Sequence, residues 1–214
     1  MNGILIVNKS KGYTSHDLVS KVKRISKEKV GHTGTLDPMA TGVLPLLIGE
    51  ATKLSKYLIE HDKEYEVKLQ LGIKTDTADS EGKIIEQRDV EEATLQEDNI
   101  KNVLKSFLGK QIQTPPIYSA IKVKGKKLYE YARKGQEIEI PQREIEIFDI
   151  SLKGINKEEK TIDFCVHCSK GTYIRSLCND IGDKLGCYGC MESLVRNKVG
   201  DFSIENAIII EEIE

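Results

Sequence analysis

The apolar positions of this chain follow two periods, and each predicts a different element. Ile4-Leu5-Ile6-Val7 is an unbroken apolar run, which predicts a short buried strand. After Ser15, an expected N-cap, Leu18, Val19, Val22 and Ile25 recur at helical spacing. Lys21, Lys23, Arg24 and Lys27 fill the other face of that helix. From Tyr65 the period drops to two. Tyr65, Val67, Leu69, Leu71 and Ile73 alternate with Glu66, Lys68 and Gln70, as a half-buried strand requires. Tyr65 therefore lies on the apolar side, at the entrance of the strand, where its hydroxyl is expected to stay near water. Ile162, Phe164, Val166 and Cys168 alternate in the same way. In the run Ile145 to Leu152 the alternation slips at Ile147-Phe148, which suggests a bulge. Helices are expected over 50–60 and 94–108, the second burying Ile100, Val103, Leu104, Phe107 and Leu108. Another carries Ile174, Leu177, Cys178, Ile181 and Leu185 on one face, with Arg175 pointing off that stripe, and a short one starts near Ser203.

Between the first helix and the Tyr65 strand the periodicity stops. Residues 30–49 hold four glycines and two prolines, the composition of a shaped loop. One carboxylate sits inside it: Asp37, followed by Pro38 and preceded at five residues by His32. The residue before a proline is pushed toward extended geometry, so Asp37 does not readily join a helix. Val43-Leu44-Pro45-Leu46-Leu47-Ile48 then ties the loop to a core. A lone acid on a braced loop is an arrangement suited to catalysis, although Asp before Pro is also a common turn former.

Charge changes the picture more than composition does. Hydrophobic residues are 39% and charged residues 31%, with a net charge of −2, which is ordinary for a globular protein. The charges, however, are segregated. Lys101 to Lys134 contains nine Lys or Arg against one acid, Glu130, whereas Asp76 to Asp98 contains nine acids against two bases. The basic stretch interleaves Tyr118, Tyr129 and Tyr131 with Lys122, Lys126, Lys127 and Arg133. That mixture can neutralise phosphates and pack on bases. No apolar run approaches the roughly 20 residues of a membrane span. The N-terminus shows no export signal, and five cysteines, an odd number, suit free thiols in the cytoplasm.

Cys165-x-x-Cys168 and Cys187-x-x-Cys190, with 18 residues between, match zinc-ribbon spacing. Strand parity argues against zinc, because Cys165 and Cys168 should face opposite sides of one strand. The intervening residues also read as a helix. Asp76 to Gly82 reads as a polar turn rather than a calcium loop, since no Glu follows at the required offset.

Three strings carry a resemblance. Gly31-His-Thr-Gly-Thr-Leu-Asp-Pro-Met-Ala-Thr-Gly-Val-Leu44 resembles the active-site motif of the TruB family, the synthases that make pseudouridine 55 in the T loop of tRNA. Asn8 to Asp17 resembles the family's N-terminal motif, with Ser10 where proline is usual. Cys168-Ser-Lys-Gly-Thr-Tyr-Ile-Arg175 is a third match, and Lys63-Glu-Tyr65 stands at the place of the family's active-site tyrosine.

The resemblance implies an α+β pseudouridine synthase fold: a mixed, mostly antiparallel central sheet flanked by helices and loops, with a basic thumb-like segment over about 112–140. It implies one catalytic domain over 1–214 that ends too early for the family's C-terminal PUA domain. It implies tRNA, through its T arm, as partner, with no cofactor, no metal and no obligate protein partner. Asp37 is then the catalytic carboxylate, acting by covalent attack or by proton abstraction. Tyr65 stacks on the flipped base, and Arg175 is the opposite charge that serves Asp37. His32, Lys9, Asp17 and Thr35 are expected near the RNA. So are Tyr118, Lys122, Lys126, Lys127, Tyr129, Arg133, Lys170 and Tyr173. A non-catalytic tRNA-folding chaperone on the same scaffold, which would not need Asp37, is the competing reading, with a zinc-binding RNA module behind it.

Overall fold

The computed structural model describes residues 1–212. In chain order the elements are β1 (Gly3–Lys9), α1 (Ser15–Ser26), β2 (Val30–His32), β3 (Thr41–Ile48), α2 (Ser55–Leu58), β4 (Lys63–Leu71), β5 (Ile73–Thr75), β6 (Ile84–Gln87), α3 (Glu97–Lys105), β7 (Gly109–Gln113), β8 (Lys122–Val123), β9 (Lys126–Lys127), α4 (Leu128–Ala132), β10 (Arg143–Asn156), β11 (Thr161–Cys168), α5 (Ile174–Lys184), β12 (Gly189–Val199), β13 (Phe202–Ser203) and β14 (Ile208–Ile209). The α+β class with a mixed, mostly antiparallel sheet agrees with the expectation. The chain divides into two compact units.

The first unit comprises Met1–Glu66, Val166–Lys170 and the chain from Ser193. β3 is its centre. It pairs antiparallel with β1 along seven residues, antiparallel with β2, and parallel with β12. β14 adds to β1 in parallel. Val43, Leu44, Leu46 and Leu47 are fully buried. Leu18, Val19 and Val22 of α1 pack with Val7, Leu44, Leu46 and Ile48 in one apolar cluster. Ile25, expected on the same stripe, is exposed.

The N-cap of α1 is Thr14 rather than Ser15. Its extended backbone and hydroxyl accept the Asp17 amide, and the Asp17 carboxylate accepts from the Thr14 amide at 2.7 Å. The second expected helix shrinks to a 3₁₀ turn over Gly49–Leu54 and a single α-turn, α2. The final one is a 3₁₀ turn at Ile204–Asn206.

The second unit comprises Val67–Cys165 and Gly171–Glu192. Its strands run β4-β11-β10-β7, with β7 antiparallel to β10. Ile162 and Phe164 are buried, whereas Cys165 on the alternate parity is only partly so. The slip in β10 is visible in exposure: Phe148 and Asp149 both face out between buried Ile147 and Ile150. α3 is shorter at both ends than the spacing suggested; it buries Ile100 and Leu104, and Leu108 is exposed beyond it. All five cysteines are free thiols, and the described residues contain no His/Cys/Asp/Glu group arranged to hold a metal ion.

Candidate active site

The loop between β2 and β3 is pinned at nearly every residue around Asp37, by side chains buried beneath it. Ser15, in the first turn of α1, accepts the Leu36 amide at 2.9 Å and donates to the Leu36 carbonyl at 3.2 Å. The Pro38 carbonyl accepts from the Gly12 amide at 2.9 Å and from Lys9 Nζ at 3.1 Å. Ala40 closes a turn onto the Asp37 carbonyl at 3.1 Å. Leu36, Met39 and Ala40 are buried, so Asp37 itself is left half-buried between anchored neighbours.

Lys9 corrects an expectation. It is fully buried, so it cannot meet RNA from a surface. Its ammonium donates to the carbonyls of Ser10, Tyr13 and Pro38, using the three donors a lysine has. Asp17 is likewise committed to the capping box, and its hydrogen bonds from Thr14 draw its carboxyl below the usual range. Lys9 holds the loop, and Asp17, exposed in the first turn of α1, closes that helix's cap.

A residue the sequence reading passed over lies at the centre of this unit. Arg196 of β12 is 2% exposed. Its Nε donates to the Val43 carbonyl at 2.8 Å, and its terminal nitrogens donate to Gly34 and Thr35 at 3.2 and 3.5 Å. Tyr65 and Asp37 lie near enough for their charges to act on it. Burial drives the Arg196 pKa down, while Tyr65 and Asp37 act the other way. The missed signal was parity: Leu194 and Arg196 share the buried face of a strand, a place where an arginine needs a reason. Gly42 is the backbone counterpart. It pairs with Arg196 in register, at φ +106°, and a Cβ there would meet the Arg196 carbonyl oxygen at 2.2 Å.

Tyr65 is 8% exposed, so its hydroxyl is not at the water boundary as expected. Burial pushes the phenol up to about 12, while the charge of Arg196 acts the other way. His32 is half-buried. The Gly34 amide donates to its Nδ1 at 3.3 Å, and burial followed by the charge of Arg196 keeps its pKa below the ordinary value. It is thus a neutral, apolar-leaning ring at pH 7. Thr35 is exposed. Lys170 is exposed and ion-paired with Glu60.

In the second unit, Arg175 also departs from expectation. It is 6% exposed, not on a surface. Its guanidinium donates to the Thr77 and Tyr118 carbonyls, each at 2.9 Å, and lies 3.6 Å from the Asp79 carboxylate. The polar turn 76–82 is therefore a built structure, with Thr77 donating to Asp79 at 2.7 Å. Tyr173 caps α5, its backbone bracketed by the Gln113 amide side chain and its ring covered by Arg143 at 5.4 Å.

The basic segment is open by contrast. Lys122 and Lys126 are exposed on a two-strand hairpin, and Arg133 is exposed after α4. Lys127 and Arg133 lie 5.3 and 5.1 Å from the Tyr129 ring centre. Tyr118 is half-buried.

Two family models match consecutive parts of the chain. Residues 22–174 match the TruB family pseudouridylate synthase N-terminal domain, and residues 175–214 match the tRNA pseudouridylate synthase B C-terminal domain. The chain is 53% identical over its whole length to the tRNA pseudouridine synthase B of Alkaliphilus oremlandii, covering 70% of that protein. It is 50% identical to that of Clostridium tetani, covering 73% of it. Among solved structures, a Cbf5–Nop10–Gar1 complex aligns over 99% of this chain with TM-score 0.75 and 32% identity. An H/ACA ribonucleoprotein bound to a substrate RNA containing 2′-deoxyuridine aligns with TM-score 0.72 and 29% identity. The chain spans about half the length of those two structural neighbours, 53% and 52%.

Proposed function

This chain belongs to the TruB family of pseudouridylate synthases, and on that premise we propose that it converts uridine 55 in the T arm of tRNA to pseudouridine. The observation that carries the reading is the Asp37 loop. Its backbone is held from beneath by Ser15, Lys9 and Arg196. A carboxylate presented on so braced a turn meets the geometric demand of catalysis.

The reaction is an isomerisation. The bond from ribose C1′ to uracil N1 breaks, the base rotates, and C1′ bonds to C5. The C5 proton is then lost and N1 takes one up, so no cofactor is required. Asp37 is assigned the catalytic carboxylate that starts this sequence. Uridine stacked in a folded loop must be flipped out, at a cost of a few kcal/mol. Stacking on an aromatic ring recovers about 1–3 kcal/mol per base, and Tyr65 is assigned that role. Arg175 takes the part of the opposite charge through the Gly171–Arg175 motif. The exposed cations Lys122, Lys126 and Arg133 are assigned to the RNA phosphates.

The test is release of tritium from T-arm RNA labelled at uracil C5. Wild type should release it stoichiometrically. Asp37→Asn should lose about 10³-fold or more in rate while binding the RNA with unchanged affinity. Equal release by Asp37→Asn would overturn the assignment, and no release by wild type would leave the chaperone reading instead.

A further inference from the structure

We infer that Arg196 is a positioning residue for this reaction: its buried guanidinium locks the Gly34–Thr35 turn to β3 in one arrangement that leads into Asp37, beside Tyr65. The inference rests on the function proposed above and concerns a residue that the motif resemblance leaves without a role.

The geometry is a fork used on three sides. Arginine offers five N–H donors in a rigid plane. Nε takes the Val43 carbonyl of β3, and the terminal nitrogens take Gly34 and Thr35 of the loop, with Tyr65 of β4 near enough to feel the charge. One side chain therefore joins two strands and the turn that leads into the catalytic carboxylate. A lysine at this position would keep the charge but lose the plane.

Burial strengthens the argument. A guanidinium that is 2% exposed has shed its water, and three neutral carbonyls are incomplete compensation. Packing such a site with an apolar side chain is often neutral or stabilising, so stability alone does not call for arginine here. What the charge adds is an electrostatic link to Asp37 and to the Tyr65 phenol. The backbone also makes room for it. Gly42 lies beside Arg196 at φ +106°, and any Cβ there would collide with the Arg196 backbone. His32 and Lys63, the other cationic groups that feel Arg196, both have their pKa lowered by burial and by its charge.

A turn fixed before the base arrives keeps Asp37 in attack geometry, and positioning of a reacting group acts on rate rather than on affinity. Arg196→Lys, Tyr65→Phe and the double variant should be compared with wild type in single-turnover tritium release at saturating T-arm RNA. RNA affinity and thermal midpoint should be read alongside. The expected result is a rate loss of tenfold or more for Arg196→Lys, affinity within twofold, and a double variant no more than twofold slower than Arg196→Lys. A loss under fivefold for Arg196→Lys, or losses that multiply in the double variant, would overturn the inference. If Arg196→Lys does not fold, Arg196→Gln decides alone: fivefold or more in rate at unchanged affinity supports the positioning role, less overturns it. An inactive wild type would remove both readings, whereas an active wild type with an unaffected Arg196→Lys removes only this one.

Discussion

The loop around Asp37 and the basic segment around Lys122–Arg133 are built on opposite plans. The loop is short, rich in Gly and Pro, and its backbone is held by buried polar side chains: Ser15, Lys9 and Arg196. The basic segment presents its polar side chains outward. Its local order comes from a two-pair hairpin and the five residues of α4. Chemistry needs atoms held to fractions of an ångström, so the loop uses its charges internally. The phosphate binding proposed for the segment tolerates play and gains from solvated, long-reaching cations. Lysine shows the contrast within one residue type: Lys9 is a fully buried strut, and Lys122 is exposed.

That contrast can be broken most forcefully at Lys9. Lys9→Met removes the donor from three carbonyls and should cost about 2–4 kcal/mol of stability, read as a lower thermal midpoint. A midpoint unchanged within a degree would mean that the strut is dispensable. The basic segment should answer in the other currency. Replacing Lys122, Lys126 and Arg133 together by Ala should weaken T-arm binding on the order of 10-fold and flatten its salt dependence by about two phosphate equivalents. Stability should stay within about 0.5 kcal/mol. A large loss of stability with salt dependence intact would show that these cations, too, are structural.

The smallest effect sharpens the loop side. Burial, with Arg196 adding to it, pulls the Lys63 pKa down from 10.5 to about 8. Between those values the unfolded chain binds the extra proton, so this group makes stability rise with pH across that window. From pH 8 to 9.5 the wild type should gain about 1–2 kcal/mol relative to Lys63→Met. Parallel stability curves for the two proteins would show that Lys63 is not buried as a cation.

Much of this was written in local pattern. Strand alternation marked β4 and β11, helical spacing marked α1 and the apolar stripe of α5, and the Gly/Pro density marked the loop that carries Asp37. Those signals are short-range, and the backbone obeys them directly. Helix ends were less legible. Thr14 outcompeted Ser15 as a cap because Asp17 stands three residues after Thr14, completing the reciprocal pair, and this freed Ser15 to hold Leu36.

What the linear chain determined by itself was which residues could carry chemistry, and the family that its strings place it in. What only the tertiary structure decided was which charges face inward. Composition alone leaves Lys9, Arg175 and Arg196 in water, yet each is buried because carbonyls far along the chain, at Pro38, Tyr118 and Gly34, come within hydrogen-bond reach. Parity can mark a position such as Arg196 as inward-facing, but the acceptors that let a cation leave water are brought in by the fold, and no window of neighbouring residues names them.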